Sequence, residues 1–184
     1  MKKLKEINQN DVKKHLKELS KNELEKEVLN LYKKFKDVKE YFSIELNKDN
    51  LEGILSYYKE KISNEFIIER DIEDINFRLI RKYISDFKKN CSNSRYVVDL
   101  ILYAVEQGVL LIDNYGDITE QFYISVEKLF ADATKHMRIN ELTKEYVKRC
   151  KKIVDDSSNV GWGFSDTMYD IYYESFSEYI DFEE

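Results

Sequence analysis
The chain has 184 residues, 30 Lys and Arg against 36 Asp and Glu, and a formal net charge of −6. That length suits one domain or one compact array of helices with a real core, and 36% charged against 42% apolar residues excludes a disordered chain and a membrane protein. No apolar run reaches the roughly 18 residues of a membrane span, the charged opening Met1-Lys2-Lys3-Leu4-Lys5-Glu6 lacks a signal peptide's apolar stretch, and two isolated Cys make no disulfide framework, so a cytoplasmic protein is expected.

Pro is absent and Ala is rare (Ala104, Ala131, Ala133), while Lys, Ile, Asn and Tyr are abundant. An AT-rich gene depletes Pro by itself, so apolar periodicity and cap signals must carry the helix prediction. Asp11 opens a first helix to about Leu19. Ser20 with Glu23 forms a capping box for a second, to about Phe35. Asp37 with Glu40 opens a short third over 38–46, and Asn50 a fourth through Phe66. Asp74 opens a fifth to about Asn90, with Phe77, Ile80, Ile84 and Phe87 on one face and mostly Arg78, Arg81, Lys82, Lys88 and Lys89 on the other. Ser92 or Ser94 precedes the sixth, whose segment 97–112 is apolar nearly all round and is therefore expected at the centre. Gly116 ends it as a left-handed cap, and Asp117 with Glu120 starts a seventh over about 118–137. An eighth helix covers roughly 140–156, and a ninth runs from Phe164 to Ile180.

The expected fold is all-α, with eight or nine mostly antiparallel helices in a bundle or a short irregular α-solenoid. No linker divides the chain, so residues 1–184 read as a single domain, in which residues 1–48 can form an N-terminal lobe packed on a core over 50–184.

Charge is uneven along the chain. Residues 1–50 carry 13 basic and 10 acidic side chains, whereas residues 151–184 carry 2 and 9. In the last helix, Asp166, Asp170, Glu174 and Glu178 recur every four residues beside Tyr169 and Tyr173. Like charges at this spacing oppose one another by about 0.2–0.5 kcal/mol per pair. The functional reading is a docking surface for a basic partner; the structural one is pairing with the basic N-terminal helices, or plain solvated charge. The helix can also meet the basic lobe of a second copy.

Other candidates carry less chemistry. Acids around Gly116 suggest a calcium loop, but counting from Asp113 puts Ile118 and Ile124 where Gly and Glu are required. Gly161-Trp162-Gly163 points to a backbone constraint, with a buried Trp162 locking the last helix onto the core. His15, His136, Cys91 and Cys150 have no partners at metal-ligand spacing; His136, near a helix C-terminus, suits a cation there. The basic face of the fifth helix could touch phosphates, but an acidic chain argues against nucleic acid as a direct ligand. No catalytic signature or cofactor motif is present.

Several segments occur together in order: Leu19-Ser20-Lys21-Asn22-Glu23-Leu24, Val38-Lys39-Glu40-Tyr41-Phe42, Ile84-Ser85-Asp86-Phe87-Lys88-Lys89, Tyr115-Gly116-Asp117, Phe122-Tyr123-Ile124-Ser125-Val126-Glu127 and Gly161-Trp162-Gly163-Phe164-Ser165-Asp166. From about Asp11 to Phe176 the chain resembles a family of small bacterial helical proteins known only as a domain of unknown function. The resemblance implies a bacterial, cytoplasmic, helical protein and transfers no catalytic role. Two functions are carried forward. The favoured one is a non-enzymatic interaction protein whose acidic, Tyr-rich last helix binds a basic protein surface; its sharper form is a phage or mobile-element inhibitor of a nucleic-acid-binding defence protein. The alternative is a metal-assisted hydrolase in which Glu106, Asp113, Asp117 and Asp166 converge on a divalent ion.

Overall fold
A computed structural model describes residues 6–67, 75–116, 118–158 and 160–180. Among the described residues there are nine α-helices and no strand: α1 (Gln9–Glu18), α2 (Lys21–Lys34), α3 (Lys36–Glu45), α4 (Leu51–Glu65), α5 (Phe77–Asn90), α6 (Ser94–Tyr115), α7 (Glu120–Ile139), α8 (Thr143–Asp156) and α9 (Phe164–Ile180). No helix is long and apolar enough to cross a membrane. The helices fall into two compact units divided between Lys48 and Asp49.

Local chemistry explains most helix starts. The Ser20 side chain accepts from the Glu23 N–H while the Glu23 carboxylate accepts from the Ser20 N–H, closing the expected box on α2. Asn50 caps α4 through the Gly53 N–H at 3.0 Å. Elsewhere the capping residue differs from the one expected. Asn8 caps α1 and Asp11 is its reciprocal partner three residues inside. Asn76 caps α5, and Asn93, not Ser92 or Ser94, caps α6. In each case an Asn supplies the same short side-chain acceptor as Asp or Ser. Asp37 does not start α3, which begins at Lys36 without a side-chain cap. The eighth helix begins three residues late, because Glu141 takes a φ of +58° and Asn140 to Leu142 form a turn. Asp74 and Asp117 lie outside the described residues.

The second unit is built around α6. Its buried side chains include Val97, Val98, Leu100, Ile101, Leu102, Val105 and Val109, and it packs against α4, α5, α7 and α8. Most of its circumference is apolar and buried, as a central helix requires, and its one polar edge, Asp99, Glu106 and Asp113 at intervals of seven residues, is half-buried to exposed. Gly108 lets α7 approach: a Cβ there would lie 2.6 Å from Val126 Cγ2. Helix α9 packs on α7 and α8 and buries Phe164, Met168, Tyr172 and Phe176.

In the first unit α2 packs on α3, with Tyr32 edge-on to Phe42 at 6.1 Å between ring centroids. Neither α1 nor α2 contains a buried residue, and α3 contains Ile44 alone.

Candidate functional site
The outer face of α9 follows directly from its register. Phe164, Met168, Tyr172 and Phe176 occupy every fourth position and are buried. Asp166, Asp170, Glu174 and Glu178 are displaced from them by two residues, about 200° around the helix, and all four are exposed. Both stripes drift around the axis at the same rate and so stay opposite. None of the four carboxylates forms an ion pair among the described residues. Asp166 lies in the first turn, where the helix dipole favours it; Glu178 lies at the other end, where the dipole opposes it. Tyr169 and Tyr173, 54% and 53% exposed, stack at 6.1 Å with ring planes 16° apart. The surface thus combines aligned negative charge with a stacked aromatic pair.

The turn before α9 overturns one expectation. Trp162 is 70% exposed and does not lock the helix onto the core. Its φ of +59°, followed by +73° at Gly163, turns the chain outward, and Phe164 enters the core instead. The turn is held by Ser165, whose Oγ lies 2.6 Å from the Ser157 carbonyl and accepts from the Val160 N–H. The constraint expected of the two glycines resides at Gly163, since a Cβ at Gly161 would meet open space and no unusual φ is required there. Gly116 ends α6 at a φ of +73°, with its N–H donated to the Ile112 carbonyl.

The carboxylates of the hydrolase reading are not assembled. Glu106 and Asp113 line one cleft of about 450 Å³ with Lys152, Asp155 and Asp156, but Glu106 accepts two hydrogen bonds from Arg149, at 2.7 and 2.9 Å. Asp155 holds Lys151 and Asp156 holds Lys152. Asp166 is on the outer face of α9, and Asp117 is not among the described residues. Among those residues no group of three His, Cys, Asp or Glu side chains is placed to hold a metal ion.

A polar constellation absent from the sequence reading ties α4, α6 and α8 together. Asp99 accepts from Lys59 at 2.5 Å and from Arg149, which also holds Glu106. Burial pushes the Asp99 carboxyl up, but hydrogen bonds and charge from Lys59 and Arg149 outweigh it and hold the group below the usual carboxylate range. Acids at intervals of seven residues in a mostly apolar helix, Asp99, Glu106 and Asp113, were the available signal. Three cations of the basic face of α5 are committed as well: Arg81 pairs with Asp132, and Lys82 and Lys89 both pair with Asp86. At His136 the surroundings oppose the positive charge that the end of α7 would favour. Burial, aided by nearby Lys88, lowers its pKa, and its buried Nε2 has no hydrogen-bond partner. Burial pushes the Cys150 thiol up to about 12.

These features define an all-helical protein with an acidic, aromatic outer helix and no assembled metal centre among its described residues. The chain belongs to a family of unknown function (DUF6155), whose model matches residues 7–177. No curated protein and no solved structure matches it.

Proposed function
We propose that this chain is a non-enzymatic interaction protein whose α9 face, Asp166, Tyr169, Asp170, Tyr173, Glu174 and Glu178, binds a basic surface on a protein partner. The supporting observation is that these carboxylates stand exposed and without ion pairs among the described residues, beside a pre-stacked tyrosine pair. Self-repulsion along the stripe is relieved when cationic groups approach. The tyrosines add contact area at little entropic cost, as aromatic anchors do at interfaces. Binding of this kind is steered by charge and weakens with salt.

The test is affinity capture from the source cells with the full chain and with the double variant Asp170→Lys, Glu174→Lys. The partner should be lost with the variant, and with the unaltered chain as salt rises from 50 to roughly 500 mM. Both positions are exposed, so helix content should not change. Retention of the same partner by the variant would refute the proposal. The narrower form, an inhibitor carried by a phage or mobile element against a nucleic-acid-binding defence protein, rests on acidity alone. It requires that nucleic acid compete with the chain for the captured partner. No observation favours the hydrolase.

A further inference from the structure
The one tryptophan of the chain stands at a cleft. Trp162 lines an opening of about 650 Å³ beside the C-terminal ends of α6 and α8. Small-molecule sites occupy about 300–1,000 Å³. Ile112 and Tyr123 are buried and form an apolar floor; the Tyr123 oxygen accepts from the Ile118 N–H at 2.9 Å. Trp162, Asp113 and Asp156 are exposed and form the rim. Among the described residues no Lys or Arg lines the opening.

Rim and floor suit one kind of ligand. Asp113 forms no ion pair among the described residues. Asp156 pairs with Lys152 at 2.6 Å, but both side chains are at least half exposed, and such a pair within one helix is weak and easily exchanged. An indole face attracts a cation held within about 6 Å of its centroid, more strongly than the other aromatic rings do. Core packing gives no reason for an indole here, since Trp162 is 70% exposed. A cation with an apolar body would use the whole opening, its charge between the indole and the carboxylates and its alkyl chain on Ile112 and Tyr123. An anion is repelled by the two carboxylates, and a bare metal ion gains nothing from the apolar floor.

We propose that this cleft binds an organic cation, an alkylguanidinium or alkylammonium group, offered by a free amine or by an Arg or Lys side chain.

Because Trp162 is the one tryptophan, intrinsic fluorescence reads the site directly. The full chain is titrated with butylguanidinium and with its neutral isostere butylurea, each to about 20 mM, a range that suits a weakly bound fragment. The emission should shift saturably with butylguanidinium, but not with butylurea or with sodium chloride at the same concentrations. Asp113→Asn should weaken binding about fivefold. Trp162→Leu, read by calorimetry, should weaken it by about the same factor, and Trp162→Phe should keep part of it. Both positions are exposed, so circular dichroism should be unchanged. The blocked peptide acetyl-Gly-Arg-Gly-amide separates the two sources: tighter binding than butylguanidinium assigns the cation to a partner chain, and weaker binding assigns it to a free amine. No saturable response to butylguanidinium, an equal response to butylurea, or affinity unchanged in both Asp113→Asn and Trp162→Leu would overturn the proposal. No α9 residue lines the cleft, so the Asp170→Lys, Glu174→Lys variant should bind butylguanidinium as the unaltered chain does, and the two proposals fail separately.

Discussion
At Gly108 the ordinary rule for glycine in a helix changes sign. Replacing an interior helical Gly by Ala ordinarily gains about 1 kcal/mol. Here the new Cβ would lie 2.6 Å from Val126 Cγ2 and 3.3 Å from Cγ1, inside a fully buried α6–α7 contact. Gly108→Ala should therefore lower stability by about 1–3 kcal/mol. Combining it with Val126→Ala should recover part of the loss, measured by urea denaturation as non-additivity of the double variant. His136 allows a second prediction at this scale. Its folded pKa is depressed, first by burial and then by Lys88, so the unfolded chain takes up the proton more readily. Stability from this group is full above the ordinary histidine value near 6.5 and declines as pH falls through the folded value. The urea midpoint should be lower at pH 5.5 than at pH 7.5. His136→Gln should flatten that difference, and an unchanged slope would show that His136 is not its source.

Between elements, the Lys59–Asp99–Arg149–Glu106 network fixes α4 and α8 to α6. Its members keep between 25% and 34% of their side-chain surface exposed, so it lies between the buried and the solvated regimes. Removing Arg149 leaves Glu106 without its partner and Asp99 with Lys59 alone. Arg149→Met should cost about 2 kcal/mol, and Glu106→Gln combined with it should restore some of that, because it removes the carboxylate left without a partner. Chemical denaturation of the two single variants and the double variant closes the cycle. Much of the element level was legible beforehand. The Ser20–Glu23 box, the Asn50 cap and the limits of α9 are local matters, settled within one helical turn of the chain. The Asp37 start failed, and so did the early start of the eighth helix, because a cap signal competes with tertiary packing of the preceding turn. The pairing in the Arg149 network was not legible, since each cation is 40 or more residues from the acid it holds.

For the whole molecule, burial divides the chain unequally. Helices α4 to α9 share one core, whereas α1 to α3 contain a single buried residue among those described. Opening should follow that division. In native-state hydrogen exchange the amides of α6 should be the last to exchange. Those of α1 and α2 should exchange at least a hundredfold faster, because neither helix contains a buried residue. Uniform protection across both units would contradict this division.

What the sequence determined by itself is the helical class, the nine segments, the central place of α6 and the opposed stripes of α9. Each follows from a period of 3.6 residues imposed on alternating apolar and charged side chains, and period is a property of neighbours in the chain. Tertiary structure alone decided the rest. It exposed Trp162 and sent Phe164 into the core, because a left-handed turn at Trp162 and Gly163 reverses which side chain faces inward. It joined Asp99, Glu106 and Arg149 but left Asp113 and Asp166 outside any assembled metal site among the described residues. A carboxylate's partner is set by distance in space, and residues spaced along a helix show only which face they share.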